Sequence, residues 1–412
     1  MGSAVLGVLS PAHADSAVAK GDAQRAAGAT ASVLPNARFV LAGFGLANSW
    51  RVDRHPRFMA DITGDGRADI VGFGDTEVQT AVARGDGTFA LAGGTAGLGY
   101  GNGWRVGRHP RFVTDVTGDG RADIIAIGDD GVYTAISRGD GTFGPAQFAL
   151  NAFGANTRLP SEFFTGDVNG DGRTDLIGIS DRRVDIALAQ GNGGFAAPIL
   201  ATTEFTTVIS TFSNFRVVDV TGDGRAEILA VKFDTSAHIV SASPRNDGTY
   251  AASRRAQTNA TSAFQLMDAV TDVTGDGRAD IVAFGQTEPQ SYVAVSNGDG
   301  TFADFRVASN DFGAGAGWRG DRPEFVADIT GDRRGDIVGF GTDGVWTANA
   351  LGNGTFGTPQ RVVTDLGFDQ GWRNAQHPRL VADITGDGRA DLIGFGQAGV
   401  YTAVALGDGS FG

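Results

Sequence analysis

The sequence predicts an all-β fold, a seven-bladed β-propeller built from four-stranded blades, and three observations support this prediction. A nine-residue acidic segment recurs seven times, with its copies 52 to 56 residues apart. Each copy is followed by the same series of apolar runs and glycine-rich turns. The end of the chain lacks a piece of the repeat that occurs near its beginning. A period near 50 residues is typical of one structural unit that is stacked repeatedly.

The repeated segment has the pattern D-x-T-G-D-G-R-A-D, with substitutions in some copies. The copies begin at Asp61, Asp115, Asp167, Asp219, Asp272, Asp328 and Asp383. A short apolar run such as residues 69–74 follows, then an alternating run such as residues 132–136, and both are typical of strands. Turns of the form G-D-G-T-F come next, as at residues 85–89. With a variable fourth strand, each repeat describes a propeller blade.

The two ends of the chain indicate how the ring closes. The chain ends just after the seventh hairpin turn, so the last repeat lacks an outer strand. Residues 35–58 match residues 359–380, the outer strand and connector of the preceding repeat. We therefore expect an N-terminal strand to complete the last blade, which would leave no open strand edge. The predicted propeller covers residues 34–412.

The first 33 residues lie outside the repeat. Residues 4–9 are apolar and are followed by Ala12-His13-Ala14, which has the form of a signal-peptidase site. We predict a shortened secretion signal with a flexible tail, and hence a secreted protein; a short helix is the alternative for residues 15–32. The chain has no run of 18 apolar residues and no cysteine. Its net charge of −14 argues against a nucleic-acid partner.

Each acidic segment is a candidate calcium loop. Side-chain oxygens stand at positions 1, 3, 5 and 9, a backbone carbonyl at position 7 joins them, and glycine at position 6 permits a sharp turn. This arrangement resembles an EF-hand loop and suits a hard cation with six to eight oxygen ligands. The predicted Ca²⁺ ligands are Asp61, Thr63, Asp65, Arg67, Asp69, Asp115, Thr117, Asp119, Arg121, Asp123, Asp167, Asn169, Asp171, Arg173, Asp175, Asp219, Thr221, Asp223, Arg225, Glu227, Asp272, Thr274, Asp276, Arg278, Asp280, Asp328, Thr330, Asp332, Asp336, Asp383, Thr385, Asp387, Arg389 and Asp391.

Two loops depart from the pattern. Glu227 replaces the last aspartate of the fourth loop, and Arg333 replaces the glycine of the sixth, where we expect weak binding or an empty site. The alternative to metal binding is that the aspartates and threonines only cap turns by hydrogen bonding to backbone amides. Three clustered carboxylates would repel one another without a counterion, which favours calcium.

The connectors between repeats concentrate the scarce residue types. Four of five tryptophans are followed directly by arginine, and three of five histidines come five residues after such a tryptophan. An indole stacks on a sugar ring, while arginine and histidine donate to hydroxyl, carbonyl or carboxylate groups. The candidate carbohydrate-binding residues are Trp50, Arg51, His55, Trp104, Arg105, His109, Trp318, Arg319, Trp372, Arg373 and His377.

These connectors also have a purely structural interpretation. Tryptophan could fill the wedge between blades, arginine could pair with an acidic loop, and His-Pro could fix a turn. The group at Trp318 lacks the histidine and has Arg322 near its place. Connectors three to five, around residues 156–160, 207–215 and 261–267, have neither W-R nor histidine.

Two longer patterns resemble known families. D-x-T-G-D-G-R-A-D followed by I-V-G-F-G resembles the FG-GAP repeat of integrin α-subunit propellers and of secreted bacterial proteins. The phrase G-W-R-x-x-x-H-P-R-F-x-x-D-x-T-G-D-G-R-A-D-I-x-G-F-G resembles the Psathyrella velutina lectin family of seven-bladed fungal propellers. This resemblance implies calcium-stabilised blades that bind N-acetylglucosamine or sialic acid in pockets between consecutive blades.

Three function classes follow from these patterns. The first is a secreted, calcium-stabilised lectin for glycans of the N-acetylglucosamine or sialic-acid type. The second is a propeller scaffold for protein–protein interaction, and the third is an enzyme that acts on extracellular polysaccharide. The scattered Ser, His and Asp residues form no pattern typical of a catalytic triad, so we predict a protein that is not an enzyme.

Overall fold

A computed structural model describes residues 36–155, 162–180, 183–203, 205, 212–233, 237–257 and 267–412. The predicted signal-like segment and tail at residues 1–33 lie outside this part, as do most residues of connectors three to five. The described residues form seven four-stranded antiparallel sheets, which confirms the predicted seven-bladed propeller. No helix of the described residues is long and apolar enough to cross a membrane.

The blades are numbered in chain order, and strands β2 to β5 form blade 1. The first strands of the seven blades are β2 (Arg57–Ala60), β6 (Arg111–Thr114), β10 (Glu162–Gly166), β14 (Phe212–Val218), β18 (Ala269–Thr271), β22 (Glu324–Ala327) and β26 (Arg379–Ala382). The second strands are β3 (Asp69–Phe73), β7 (Asp123–Ile127), β11 (Asp175–Ser180), β15 (Glu227–Phe233), β19 (Asp280–Phe284), β23 (Asp336–Phe340) and β27 (Asp391–Phe395).

The third strand of each blade pairs with the fourth through a β-bulge, which increases the twist of the sheet. The third strands are β4 (Glu77–Ala83), β8 (Val132–Ala135), β12 (Arg183–Ala187), β16 (Ala237–Ala242), β20 (Ser291–Ala294), β24 (Val345–Ala348) and β28 (Gly399–Ala403). The fourth strands are β5 (Phe89–Ala96), β9 (Gln147–Leu150), β13 (Ile199–Thr202), β17 (Arg254–Gln257), β21 (Arg306–Ser309), β25 (Gln360–Val363) and, for blade 7, β1 (Arg38–Ala42).

Strand β1 completes blade 7, as the overlap of the two chain ends predicted. It pairs with β28 in antiparallel fashion, with Arg38 opposite Thr402 and Ala42 opposite Gly399. The junction that β1 closes has the same cross-blade bond as an ordinary junction. Thr402 Oγ1 donates to the carbonyl of Gly87 in blade 1 at 2.8 Å, just as third-strand hydroxyls of other blades donate to the hairpin turn of the following blade.

The hydrophobic core is divided among the seven junctions between neighbouring blades. At the junction of blades 7 and 1, Phe44, Trp50 and Ile70 pack against Ile393 and Phe395. The second strands are buried along their whole length at most junctions, because they lie between two other sheets. A blade on its own would expose this apolar surface to water, so each blade depends on its neighbours.

We expect Phe44→Ala to lower the free energy of unfolding by about 3–5 kcal/mol, the usual cost of removing a buried phenylalanine. Phe44 is fully buried in the segment after β1, with its ring 4.9 Å from that of Trp50. Phe39→Ala is the matched control, because Phe39 lies on β1 itself but is 47% exposed. Denaturant unfolding measures both. A loss in Phe44→Ala no larger than that in Phe39→Ala would contradict the stabilising role of the buried Phe44 ring at the closing junction.

Candidate functional site

The seven acidic loops lie at one end of the blades, because each joins the first strand of its blade to the second. At six junctions the backbone N–H of loop position 8 donates to the carbonyl of position 1 in the preceding loop. These donor–acceptor pairs are Ala68–Asp383, Ala122–Asp61, Thr174–Asp115, Ala226–Asp167, Gly335–Asp272 and Ala390–Asp328, at 2.7 or 2.8 Å. The loops are therefore linked from blade to blade around the ring.

The first aspartate of each loop accepts hydrogen bonds from the loop's own backbone. In the first loop, Asp61 Oδ1 accepts the N–H of Thr63 at 3.1 Å and of Gly64 at 2.6 Å, and Oδ2 accepts the N–H of Gly66 at 2.7 Å. The other six loops repeat the bonds from positions 4 and 6. These bonds are the turn capping that the sequence offered as an alternative role.

The last carboxylate of each loop is buried. Asp69 has no exposed surface, and its two oxygens accept the backbone N–H groups of Ile62 at 3.1 Å and Ala83 at 2.8 Å. Burial, together with the nearby carboxylates of Asp65 and Asp61, raises the pKa of Asp69 to about 7 despite these bonds. The three carboxylates of one loop are therefore close enough to repel one another when all are ionised.

The oxygen atoms of the loop are of the kind that a hard cation binds, but only some of the predicted ligands lie close together. Thr63 Oγ1 lies 3.2 Å from Asp61 Oδ1 and 3.4 Å from Asp69 Oδ2, so three oxygens converge. The fifth-position Asp65 instead pairs with the guanidinium of Arg67. Within the described residues, no three acidic or histidine side chains are grouped as metal ligands. The calcium sites stay a prediction, in which Asp65 would have to bind both the calcium ion and the Arg67 guanidinium.

The seventh-position arginine also joins one loop to the next. Its aliphatic stem lies against the fourth-position glycine of the preceding loop, which has a φ near +80° and little room for a Cβ. The arginine–glycine pairs are Arg121–Gly64, Arg173–Gly118, Arg225–Gly170, Arg278–Gly222, Arg334–Gly275, Arg389–Gly331 and Arg67–Gly386. The repeated glycine and arginine are thus required for packing between blades, whatever the metal content.

The sixth loop keeps its shape in spite of the substitution at position 6. Arg333 adopts a φ of +67° and donates its N–H to Asp328 Oδ2 at 2.7 Å, as Gly66 does to Asp61 in the first loop. A non-glycine residue in this left-handed region is strained. The fourth loop also keeps its bonds, because Glu227 accepts the N–H of Val220 at 3.0 Å. Neither substitution disrupts its loop.

The connectors lie at the opposite end of the blades from the acidic loops. Single-turn 3-10 helices occur in three of them, at Leu46–Asn48, Tyr100–Asn102 and Ala314–Ala316. The arginine after each connector tryptophan donates to the carbonyl five residues before it. The pairs are Arg51–Leu46, Arg105–Tyr100, Arg319–Ala314 and Arg373–Phe368, at 2.6 to 2.8 Å. These arginines hold the connectors in shape.

Two of the three connector histidines use both ring nitrogens within the chain. His55 Nδ1 accepts the N–H of Arg51 at 3.1 Å, so Nε2 carries the proton and donates to Asp75 at 3.0 Å. His109 makes the same two bonds, with Arg105 and Asp129 as partners, at the same distances. His377 has no such carboxylate, because Gln397 stands at that position in blade 7.

Three of the four W-R tryptophans pack on a glycine of the second strand. A Cβ built on that glycine would lie under 3.0 Å from the indole, so the indole can pack there only because the residue has no side chain. The indole–glycine pairs are Trp50–Gly72, Trp318–Gly339 and Trp372–Gly394. Trp50 and Trp372 are only 5% and 6% exposed, which places them in the core. Their predicted contact with sugar stays a prediction.

Trp104 differs because blade 2 has Ala126 where the other three blades have glycine. The alanine methyl group occupies the place on which the other three indoles pack, and Trp104 is partly exposed, as Trp318 also is.

An open cavity of about 340 Å³ lies beside the indole of Trp104. Its lining includes Trp104, His109, Asp129, Asp130 and Tyr133. The ring of Trp104 meets that of Tyr133 edge-on at 5.9 Å, and the Tyr133 hydroxyl donates to Asp130 at 3.0 Å. The cavity therefore combines an aromatic wall with two carboxylates, which is a suitable lining for a small polar ligand with an apolar face.

Sequence reasoning missed four residues of this site: Ala126, Asp129, Asp130 and Tyr133. They belong to the second strand, third strand and intervening turn, 22 to 29 residues after Trp104. One signal was present, since Tyr133 has aromatic counterparts in Tyr292, Trp346 and Tyr401. Hydrogen bonds from His109 and from the Arg108 guanidinium hold the pKa of Asp129 below its usual value, which keeps this carboxylate ionised.

Comparison with known proteins supports the repeat and the fold. The family model described as FG-GAP-like repeat matches residues 115–177 and 167–230. A lectin of Agrocybe aegerita, which recognises non-reducing terminal N-acetylglucosamine, is 34% identical, over 90% of this chain and 82% of the lectin, with a TM-score of 0.49. By this identity and coverage, the chain belongs to the same family of FG-GAP-repeat propellers as that lectin, which confirms the resemblance seen in the sequence.

Two other solved structures are more remote. The Tc holotoxin pore of Photorhabdus luminescens is 14% identical, over 84% of this chain and 16% of the toxin chain, with a TM-score of 0.48. A luciferin-regenerating enzyme is 10% identical, over 70% of this chain and 89% of the enzyme, with a TM-score of 0.35. These likenesses support no inference about function. No curated protein sequence matches the chain.

We expect Arg333→Gly to raise the free energy of unfolding by about 1 kcal/mol, because the left-handed conformation costs a non-glycine residue roughly 1–2 kcal/mol. Gly66→Ala is the matched test in the first loop. No atom lies within 4 Å of the Cβ that alanine would add there, so its expected loss of similar size reports backbone strain alone. Urea unfolding compares the two variants. A destabilised Arg333→Gly protein would show that the arginine side chain contributes contacts that outweigh the strain.

Proposed function

We propose that this protein is a lectin that binds glycans ending in an N-acetylglucosamine-type sugar, and that the cavity beside Trp104 is its principal binding site. One observation carries the proposal: the indole of Trp104 is partly exposed and lines an open cavity, whereas those of Trp50 and Trp372 are buried. Membership in the family of a lectin that recognises terminal N-acetylglucosamine supports the ligand class.

The aromatic wall suits a pyranose. A sugar ring presents C–H groups on one face, and these pack against the face of an indole. Trp104 Nε1 donates to the carbonyl of Gly97 at 2.8 Å, which fixes the ring plane without using its open face. The bond of the Tyr133 hydroxyl to Asp130 fixes the second aromatic ring of this wall. A pre-organised aromatic surface of this kind binds with little loss of side-chain entropy.

The charges of the cavity favour a neutral or amino sugar over a sialic acid. Asp129 and Asp130 both line the cavity, and Asp130 is paired with a neutral hydroxyl group. Their oxygens accept hydrogen bonds from sugar hydroxyl or amide N–H groups. The carboxylate of a sialic acid would instead be repelled by these two groups.

The proposal also predicts unequal sites around the ring. Trp50 and Trp372 are seated on glycine and buried, so their connectors present little indole surface to a ligand. One strong site and weaker neighbours would make binding to a single glycan chain measurable without multivalency. Secretion belongs to the same proposal, and the signal-like segment at residues 4–14 supports it.

Calcium is proposed as the stabilising cofactor of the acidic loops. The convergence of Asp Oδ1, Thr Oγ1 and the buried carboxylate supports it in the first, second, fourth and sixth loops. A divalent cation there would offset the repulsion among three carboxylates. Its role would be structural, since the loops lie at the other end of the blades from the cavity.

A protein-interaction scaffold is the second candidate function, and one observation favours it. Five large apolar side chains on the outermost strands are 47 to 63% exposed, and they lie on five different blades: Phe39, Leu91, Phe148, Leu200 and Val307. Apolar residues on the rim are a feature of interaction surfaces. Partner binding that survives Trp104→Ala but is lost in Leu91→Ser with Leu200→Ser would favour this function.

We expect Trp104→Ala to weaken binding to an immobilised N-acetylglucosamine-terminated glycan at least about tenfold, or ~1.4 kcal/mol. Ala126→Gly should also weaken it, because the indole can then sink onto the glycine as Trp372 does. Ala283→Gly is the matched control, since Ala283 has the same place in blade 5, whose connector has no tryptophan. Surface plasmon resonance measures all three. Unchanged affinity in Trp104→Ala would contradict this site.

Removal of calcium should lower the melting temperature. An ion that binds only the folded state stabilises it by roughly 2.7 kcal/mol at a hundredfold excess over its Kd. Differential scanning calorimetry before and after chelation, with calcium added back, measures the effect. Magnesium at equal concentration is the control, because it requires a smaller octahedral site. A melting temperature that stays the same after thorough chelation would contradict the calcium proposal, while leaving the glycan site untouched.

A further inference from the structure

One repeat position distinguishes blade 6 from the other blades. It lies near the end of the third strand, three residues before the first residue of the hairpin turn, and is Asn349 in blade 6 and Ser243 in blade 4. The other five blades have an aliphatic residue there, which lies within 3.3 Å of a Cβ built on the last glycine of the next blade's turn. The aliphatic–glycine pairs are Val82–Gly141, Ile136–Gly193, Leu188–Gly248, Val295–Gly354 and Val404–Gly87. These junctions are therefore filled with apolar atoms at this level.

Asn349 makes the junction of blades 6 and 7 polar at the same level. Its side chain packs on Gly409 in the turn of blade 7, and Nδ2 donates to the carbonyl of Asp408 at 3.2 Å. Thr347 Oγ1 donates to the carbonyl of Gly409 at 2.8 Å. These two bonds fix the carboxamide against the turn. Within the described part of the chain the Asn349 side chain makes no other hydrogen bond, so Oδ1 and the second N–H of Nδ2 are available to a ligand.

A cavity of about 200 Å³ lies against this carboxamide. The side of blade 6 contributes hydroxyl, carboxamide and aliphatic groups to its lining, from Thr347, Asn349, Leu351, Thr358 and Gln360. Leu351 is 58% exposed, although blades 1 to 5 have a polar or charged residue at its position. Asp408 is the one charged residue that lines the cavity, so an anion would be repelled. The lining suits a neutral ligand with hydrogen-bonding groups and an apolar side.

We propose that this cavity binds the vicinal diol of a sugar or of another neutral polyol through the carboxamide of Asn349. A carboxamide offers an acceptor and a donor side by side, so one hydroxyl of the diol donates to Oδ1 while its neighbour accepts from Nδ2. The C–H groups of the polyol pack against Leu351. The hairpin turns lie at the same end of the blades as the acidic loops. The site is therefore at the opposite end from the Trp104 cavity, and it does not depend on the lectin function proposed above.

The test is a titration of the full chain with methyl α-glucoside and, separately, with mannitol. Trimethylene glycol is the control compound, because an additional carbon separates its two hydroxyls. The side-chain N–H signals of Asn349 and the methyl signals of Leu351 in NMR spectra report the site, and single substitutions assign them. We expect saturable shifts with both probes and none with the control. Saturation by one probe alone identifies a sugar ring or an open chain as the bound form. No saturation by either probe, or equal saturation by trimethylene glycol, would overturn the proposal.

Two variants make the test specific. Asn349→Val introduces the residue that blades 1, 5 and 7 have at this position, so the fold should persist. The affinity that the Leu351 signals report should fall at least about tenfold. Ile136→Val is the matched control at the same position in blade 2, and it should leave the titration unchanged. An undiminished titration in Asn349→Val would also overturn the proposal. Trp104→Ala should retain the shifts, so a failure of this site and a failure of the glycan site at Trp104 can be told apart.

Discussion

The packing of each blade against the next is the constraint on which the rest of the structure depends. A single four-stranded sheet buries one apolar face only by meeting another sheet, so seven similar blades are stable only as a ring. The closing junction is therefore as important as the other six. Its core contains Phe44 and Trp50 from the N-terminal segment, packed against Phe395 from the last blade. Residues that are distant in sequence share the same core.

The acidic loops contribute to this constraint in a way that is independent of metal. Each loop is closed by its own first aspartate, and its seventh-position arginine packs on the glycine of the loop before. The motif is conserved from repeat to repeat within this chain because a change at any of these positions would disturb two blades. Calcium, where it binds, would act on a frame that the backbone hydrogen bonds already define. The backbone bonds of the sixth loop form with Arg333 at position 6, so this substitution is tolerated. Arg334 beside it still packs on the glycine of the preceding loop.

The fold was predictable because the repeat period, the alternation of strands and the overlapping ends all report on backbone pairing. The roles of individual side chains were harder to predict. His55 and Arg51 fit the pattern of a sugar site in sequence, yet their polar atoms bond to Asp75 and to the connector's own carbonyl groups. The spacing of a motif shows which residues recur together. It does not show whether their hydrogen-bonding atoms are already paired within the protein. The contact of Trp104 with blade 2 depends on Ala126, 22 residues away, whose methyl group carries no motif signal.

The positions that break the repeat are the most informative about function. Residues that every blade shares are required by the junctions, so their recurrence says little about ligands. Among the blades whose connectors have both W-R and histidine, only blade 2 has alanine (Ala126) in place of glycine, and only blade 7 has glutamine (Gln397) in place of aspartate. In blade 2 Trp104 lies beside two carboxylates, whereas in blade 7 His377 has no carboxylate partner. A ring of nearly equal blades can in this way present different surroundings at its junctions, because a single side chain changes them while the strands that form the junction stay the same.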